Sequence, residues 1–95
     1  MRASEIRGKI LAFLKHIYPD SVDEQIIISV YYQYYRHKQI KEALEYLVDK
    51  GYIERIEKPH PYKDGEKIRI YKILPDGVDI VDGIREDIGV MRVDW

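Results

Sequence analysis

The fold is decided by the stretch Ile40-Lys41-Glu42-Ala43-Leu44-Glu45-Tyr46-Leu47-Val48-Asp49-Lys50-Gly51-Tyr52-Ile53. Its apolar side chains recur three and four positions apart, which is the spacing of one face of an α-helix. Gly51 follows where a helix commonly ends, and a short alternating stretch begins after the glycine. The pattern therefore predicts an amphipathic helix over residues 36–50 that leads through a glycine into a β-strand.

Upstream, residues 4–18 are predicted to form a first helix, because apolar residues again recur at helical spacing. Basic side chains lie off the apolar stripe, as expected for a helix with one solvated face. Ser4 is the expected N-cap of this helix, and Pro19 prevents its continuation.

Residues 21–34 form an ambiguous segment. Ser21 with Glu24 three residues later is a capping-box pattern, whereas the β-branched and aromatic residues that follow favour a strand. Gln25, Ser29 and Gln33 are four residues apart. A helix would place these three polar side chains in one line, whereas a strand would mix them with apolar side chains on the same face. We therefore predict a second helix over residues 21–34, although one continuous helix through residue 50 is an alternative because no Gly or Pro intervenes.

After Gly51 the sequence alternates with a period of two residues. Residues 52–73 contain two alternating stretches around a polar segment with two prolines and Asp64-Gly65, which predicts a β-hairpin. Pro75 lies just beyond the hairpin, and we expect a short helix at the start of residues 75–95.

The composition is typical of one small globular domain, with 95 residues, 45% of them hydrophobic and 35% charged. The absence of cysteine excludes disulfides, thiolate metal sites and cysteine catalysis. No apolar run of about 18 residues exists, and the first residues lack the apolar stretch of a secretory signal. We expect a cytoplasmic protein that does not enter the membrane.

The net charge of −1 conceals a division along the chain. Residues 1–75 carry a net charge of +3, and residues 76–95 carry a net charge of −4. A mildly basic body permits nucleic-acid binding without requiring it. The acidic end is expected either to fold against the basic hairpin or to serve as a solubilising tail.

The predicted order of elements is that of a winged helix-turn-helix domain, and two stretches resemble that family. Residues 40–53 are similar to the family's third helix as it runs through a glycine into the first wing strand. Residues 70–77 are similar to the exit of the second wing strand into a final helix. The resemblance covers residues 4–84 and implies an α+β, mostly helical fold with a three-helix core and a hairpin wing. Leu74 departs from the family's usual Thr or Ser cap, and the turn before the third helix lacks the family's common glycine.

A narrower similarity is to small winged-helix proteins of Mu-like prophages. It rests on the Gly-Tyr-Ile of residues 51–53, on residues 75–83 and on the Asp-Ile-Gly-Val of residues 87–90. It implies an alternative function in which the domain recognises another protein, for example in a phage assembly, and does not bind DNA. The tyrosine-rich second helix and the acidic end would then carry the function.

In DNA-binding members of the winged-helix family, the third helix enters the major groove and the wing touches the backbone or the minor groove. The resemblance therefore implies a double-stranded DNA-binding protein, a transcriptional regulator. Lysine can contact guanine and glutamine can contact adenine, and both types occur in the first half of the third helix. The expected base-reading residues are Lys38, Gln39, Lys41 and Glu42. The expected phosphate contacts are Arg36, His37 and the wing residues Lys58, Tyr62, Lys63, Lys67 and Arg69.

The same helix face also fits a solvated surface without a ligand. Lys38 and Glu42 are four residues apart, as are Lys41 and Glu45, so that each pair can neutralise itself. Together with Asp49, the acids outnumber the lysines on the outward side. DNA would therefore have to meet the N-terminal end of the helix.

Tyrosines are concentrated at the end of the second predicted helix. With the neighbouring aliphatic residues they would cover more than half of its circumference, which indicates core packing plus contact with a second chain. We expect a homodimer through Tyr31, Tyr32, Tyr34, Tyr35 and Trp95. Stacking of the rings on single-stranded bases is the alternative.

No catalytic or metal-binding pattern is recognised in the sequence. His16, His37 and His60 fall in three different elements, and the evenly spaced acids of residues 76–82 lack the glycine and glutamate of a calcium loop. A Gly-rich phosphate loop and a nucleophile elbow are also missing. We therefore expect no metal, no cofactor and no enzymatic activity.

Overall fold

The structure, a computed structural model, describes residues 2–93. The elements follow in the order α1 Ala3–His16, β1 Val22–Asp23, α2 Glu24–Tyr31, α3 His37–Asp49, β2 Ile53–Pro59, β3 Lys67–Ile73 and α4 Pro75–Val81. Three strands form an antiparallel sheet in the order β1-β3-β2, and β2 with β3 forms the predicted hairpin. The expected α+β architecture, with three helices, a wing and a short final helix, is confirmed.

Two predicted helix starts are wrong because other residues provide the caps. Helix α1 has Arg2 in the N-cap position, so that Ser4 lies inside the helix. Helix α2 is capped by Asp23, whose carboxylate accepts a hydrogen bond of 2.8 Å from the backbone N–H of Gln25. Val22 and Asp23 lie within the predicted helix but form the short strand β1, in which Val22 pairs with Tyr71 of β3. The pairing satisfies backbone groups on the edge of β3 that would otherwise stay open.

Helices α2 and α3 are separate, so the alternative of one continuous helix is wrong. Helix α2 ends at Tyr31, and the backbone at Arg36 is extended, with ψ 149°. The side-chain oxygen of Gln39 accepts a hydrogen bond of 2.8 Å from the backbone N–H of Arg36, which begins the new helix. Side-chain capping therefore makes the turn without the glycine that is common there.

The core lies between α1, α3 and the inner face of the sheet. The largest side chains with less than 2% exposure are Ile10, Leu11, Leu14, Ile27, Ile40, Leu44, Leu47, Ile53, Tyr71 and Ile73. Gly51, with φ +76°, ends α3 in the left-handed conformation and turns the chain directly into β2. The wing is therefore connected to α3 through a short turn that is anchored in the core.

Residues 84–93, the C-terminal segment, pack against α1 and the end of α3. The backbone N–H of Met91 donates to the carbonyl oxygen of Ser4 (3.0 Å), and Arg7 donates to the carbonyl oxygen of Gly89 (3.1 Å). The carboxylate of Asp87 accepts hydrogen bonds from the Tyr52 hydroxyl and the Gly89 N–H and pairs with Lys50. These three contacts lower the pKa of Asp87. The expectation that the acidic end folds against the wing of its own chain does not hold for these residues, because they lie on the helical body. The expectation of a free solubilising tail holds only in part, because Ile84 and Ile88 are exposed while Val90 is buried.

We predict that Gly8→Ala destabilises the protein by about 1–3 kcal/mol, the usual cost of overpacking. A methyl group at Gly8 would overlap the carbonyl oxygen of Met91 in the C-terminal segment. Urea denaturation followed by circular dichroism measures the free energy of unfolding. Without this close contact, Gly→Ala inside a helix would instead stabilise the protein by about 0.5–1 kcal/mol, and that result would refute the packing of the segment.

Candidate nucleic-acid interface

The N-terminal end of α3, from the N-cap Arg36 to Lys41 in the second turn, presents basic residues to solvent. Arg36, His37, Lys38 and Lys41 are exposed, whereas the opposite face of the helix is packed into the core. The first turn contains no acidic residue. Free backbone N–H groups and the helix dipole add partial positive charge at this end. The arrangement favours an anion such as a phosphate group.

Local ion pairing on α3 is weaker than the sequence suggests. Lys38 does lie 3.6 Å from Glu42, but both side chains are largely exposed, and such pairs contribute little. Lys41 does not pair with Glu45, because Glu45 binds Arg55 of β2 instead. Within residues 2–93, Lys41 forms no ion pair and its charge is available to a ligand.

Gln39 has a structural role at the start of α3. Its side-chain oxygen accepts the hydrogen bond from the N–H of Arg36 that begins the helix. A bidentate contact with adenine needs both the oxygen and the nitrogen of the amide. Such a contact would therefore share the Gln39 oxygen between adenine and the Arg36 N–H, since an amide oxygen can accept two hydrogen bonds.

The tip of the wing is folded around His60. Its Nδ1 accepts hydrogen bonds from the backbone N–H groups of Tyr62 (3.0 Å) and Lys63 (3.2 Å), and Gly65 has φ +78°. These bonds make His60 a turn-forming residue and leave Tyr62 91% exposed at the tip.

The basic residues of the wing differ in how far acids neutralise them. Lys67 lies 3.8 Å from Glu57, and Arg69 lies 3.7 Å from the same carboxylate and 4.0 Å from Glu24. Lys63 has a loose pair with Glu66 (3.9 Å), whereas Lys58 has no acidic partner among the described residues. Lys58 and Lys63 are therefore the wing cations most available to a phosphate backbone.

Arg55 connects the wing to α3. Its guanidinium donates to Glu45 at 2.5 Å and also interacts with the Tyr71 hydroxyl. This pairing lowers the pKa of Glu45. Tyr71 in turn donates to Glu24, a carboxylate with only 8% exposure at the start of α2 (3.3 Å). Sequence reasoning missed this network, because only the register that sets Arg55 opposite Tyr71 brings its members together.

Two of the four tyrosines expected at a dimer interface are buried within their own chain, so this part of the prediction is wrong. Tyr31 is 6% exposed and donates to the backbone oxygen of Lys9 (2.9 Å), and its burial raises its pKa to about 12. Tyr35 is 4% exposed and donates to Glu5 (3.0 Å). Tyr32 and Tyr34 are exposed, and Trp95 lies outside the described residues.

No group of three or more His, Asp or Glu side chains among residues 2–93 could hold a metal ion. No helix in the same range has the length and apolar character needed to cross a membrane.

We predict that Glu45→Gln lowers the free energy of unfolding by less than about 1 kcal/mol at neutral pH, as for other solvent-accessible ion pairs. Since Arg55 depresses the pKa of Glu45 below its ordinary value of 4.5, the pair stabilises the fold above that pH. The contribution disappears as the pH falls through the lowered pKa, and the difference between wild type and variant should vanish in acid. Urea denaturation from neutral to acidic pH measures it, with exposed Glu54→Gln as the control. An equal difference at every pH would show that the pair does not stabilise the fold.

Comparison with solved structures finds the crystal structure of Bacillus subtilis PadR in complex with operator DNA, with a TM-score of 0.64 and 21% sequence identity. The match covers 86% of this chain and 50% of the PadR chain, so this chain spans about half the length of that protein. No protein-family model and no curated protein matches the sequence, and the narrower similarity to prophage proteins finds no counterpart. At this identity the likeness establishes the fold: the chain is a winged helix.

Proposed function

We propose that this protein binds double-stranded DNA through α3 and the wing and acts as a transcriptional regulator. The N-terminal end of α3 would enter the major groove, and the wing would lie along the adjacent backbone. The single observation that carries the proposal is the acid-free start of α3, where the basic residues Arg36, His37 and Lys38 are exposed.

The acids of α3 limit how the helix can approach DNA. Glu42 and Asp49 are exposed in its later turns and would repel phosphates. Glu45 is bound to Arg55 and adds no free charge. Docking by the N-terminal end keeps Asp49 away from the backbone. Lys38 and Lys41 would reach the base edges together with Glu42, which lies 3.6 Å from Lys38.

Each basic residue has a proposed role that follows from its surroundings. Lys38 and Lys41 would contact guanine or phosphate, and Arg36 and His37 would contact the backbone beside them. Gln39 would preserve the helix start while its amide nitrogen remains free to donate. Lys58 and Lys63 would anchor the wing more strongly than Lys67 and Arg69, which already bind Glu57.

The likeness to PadR supports the proposal at the level of architecture. PadR has been crystallised with operator DNA, and the structural match to it covers 86% of this chain. A shared fold alone does not determine function, so the support comes from the combination of this fold with the basic helix tip.

A second candidate function is a protein-interaction module without DNA binding. The observation that favours it is the exposed, uncharged outer side of α2 and of the turn after it, where Ile26 and Tyr34 are more than 40% exposed. This alternative predicts no salt-dependent association with DNA.

Fluorescence anisotropy with a labelled random-sequence duplex tests the DNA-binding proposal. Binding should weaken steeply with salt, with a log–log slope of about −0.9 for each phosphate contact, because bound lysines and arginines release counterions. Absence of binding even at low salt would reject the proposal and favour the protein-interaction module.

We predict that Lys38→Gln combined with Lys41→Gln costs about 1–3 kcal/mol of binding free energy, which is roughly a 5-fold to 150-fold loss of affinity. The matched control is Lys15→Gln combined with Arg85→Gln, which removes the same net charge from exposed ion pairs outside α3 and the wing. The control should bind nearly as well as the wild type. Equal losses in both variants would indicate a general charge effect and would contradict docking through α3.

A further inference from the structure

Lys38 and Glu42 lie at the centre of the outward side of α3. On the opposite side of the helix, Ile40, Leu44 and Leu47 are buried in the core. Because each residue of an α-helix turns by about 100°, positions 38 and 42 point almost directly away from these core residues. The side chains of Lys38 and Glu42 are 86% and 66% exposed. A groove that receives the N-terminal end of α3 therefore meets these two side chains.

Lys38 and Glu42 form an ion pair that can open toward a ligand. The Lys38 Nζ lies 3.6 Å from a carboxylate oxygen of Glu42, which has no other ion pair within residues 2–93. A pair this exposed contributes little to stability, so its opening costs little. Glu45, by contrast, is bound to Arg55 of β2. The outward side of α3 therefore presents one donor and one acceptor next to each other.

The major-groove edge of each base pair presents hydrogen-bond donors and acceptors in a fixed order. In a C·G pair, the N4 amino group of cytosine is a donor, and beside it lie O6 and N7 of guanine, which are acceptors. A carboxylate only accepts hydrogen bonds, and an ammonium group only donates them. An A·T pair places the N7 acceptor of adenine next to its N6 donor, where it would repel a carboxylate. The neighbouring charges of α3 therefore match a C·G pair best.

We propose that Lys38 and Glu42 together read one C·G base pair. Glu42 accepts a hydrogen bond from N4 of cytosine, and Lys38 donates to O6 or N7 of the paired guanine. This inference rests on the proposed function, because it names the base pair that the same helix recognises. It also gives the acid a role on a DNA-facing surface: Glu42 repels the acceptor groups that other bases present at this position, which rejects wrong sequences.

Selection of bound sequences from a random duplex pool, followed by sequencing, tests this reading with the intact protein. The wild type should enrich a motif that has a C·G pair at one position. Replacement of that pair by A·T should lower the affinity about 5-fold to 150-fold, which is the usual effect of one mismatched base pair. Glu42→Gln should change the preferred base at this position from cytosine to adenine, because an amide pairs with N6 and N7 of adenine.

The matched control is Asp49→Asn. This variant removes the same charge from an exposed residue of α3, but Asp49 is the last residue of the helix and lies about 10 Å further along its axis than Glu42. Its selected motif should equal that of the wild type. Circular dichroism of both variants checks that the helices are retained.

The possible outcomes distinguish this reading from the proposed function. If no sequence of the pool is retained, the protein does not bind duplex DNA and both proposals are wrong. If DNA is retained but the wild type and Glu42→Gln select the same motif, the protein binds DNA and the reading by Lys38 and Glu42 is wrong. A motif that changes in the same way in Asp49→Asn would indicate a general effect of charge and would also overturn the reading.

Discussion

One buried side chain, Tyr71, sets the geometry on which the candidate interface depends. It is 1% exposed in the central strand of the sheet, paired with β1 on one side and with β2 on the other. Burial raises the pKa of its hydroxyl, which stays protonated and donates to Glu24. Arg55 approaches the same hydroxyl and binds Glu45 on α3. Moving the wing relative to α3 would separate these side chains and leave buried polar groups without hydrogen-bond partners. That penalty holds the wing and α3 in one relative position.

The same network explains how a chain with a net charge of −1 can present a basic surface. Three acids near the wing are neutralised by cations of the same chain. Glu45 pairs with Arg55, and Glu24 and Glu57 both pair with Arg69. Lys41 and Lys58 are exposed and have no acidic partner among residues 2–93, so their charges are available to a ligand. Local arrangement and not net charge therefore determines which ligand this side of the molecule can bind.

Period and turn chemistry were sufficient to predict the α3 helix and the hairpin, and the resemblance to the winged-helix family implied the fold class. The two-residue strand β1 has no detectable period and exists only because β3 offers it an open edge. Burial of Tyr31 but not Tyr32 follows from the end of α2, a boundary that the sequence does not mark. Pairing of Glu45 with Arg55 overrides the local spacing to Lys41, because the register of the wing brings the guanidinium within reach. Such long-range contacts require the assembled fold.

The most direct test is an amide chemical-shift titration of the intact protein with a random-sequence DNA duplex at low salt. If α3 and the wing bind DNA, the largest shifts fall on residues 36–41 and on the wing around Lys58 and Lys63. Shifts confined to the C-terminal segment or to α2, or no shifts at all, would contradict this binding mode.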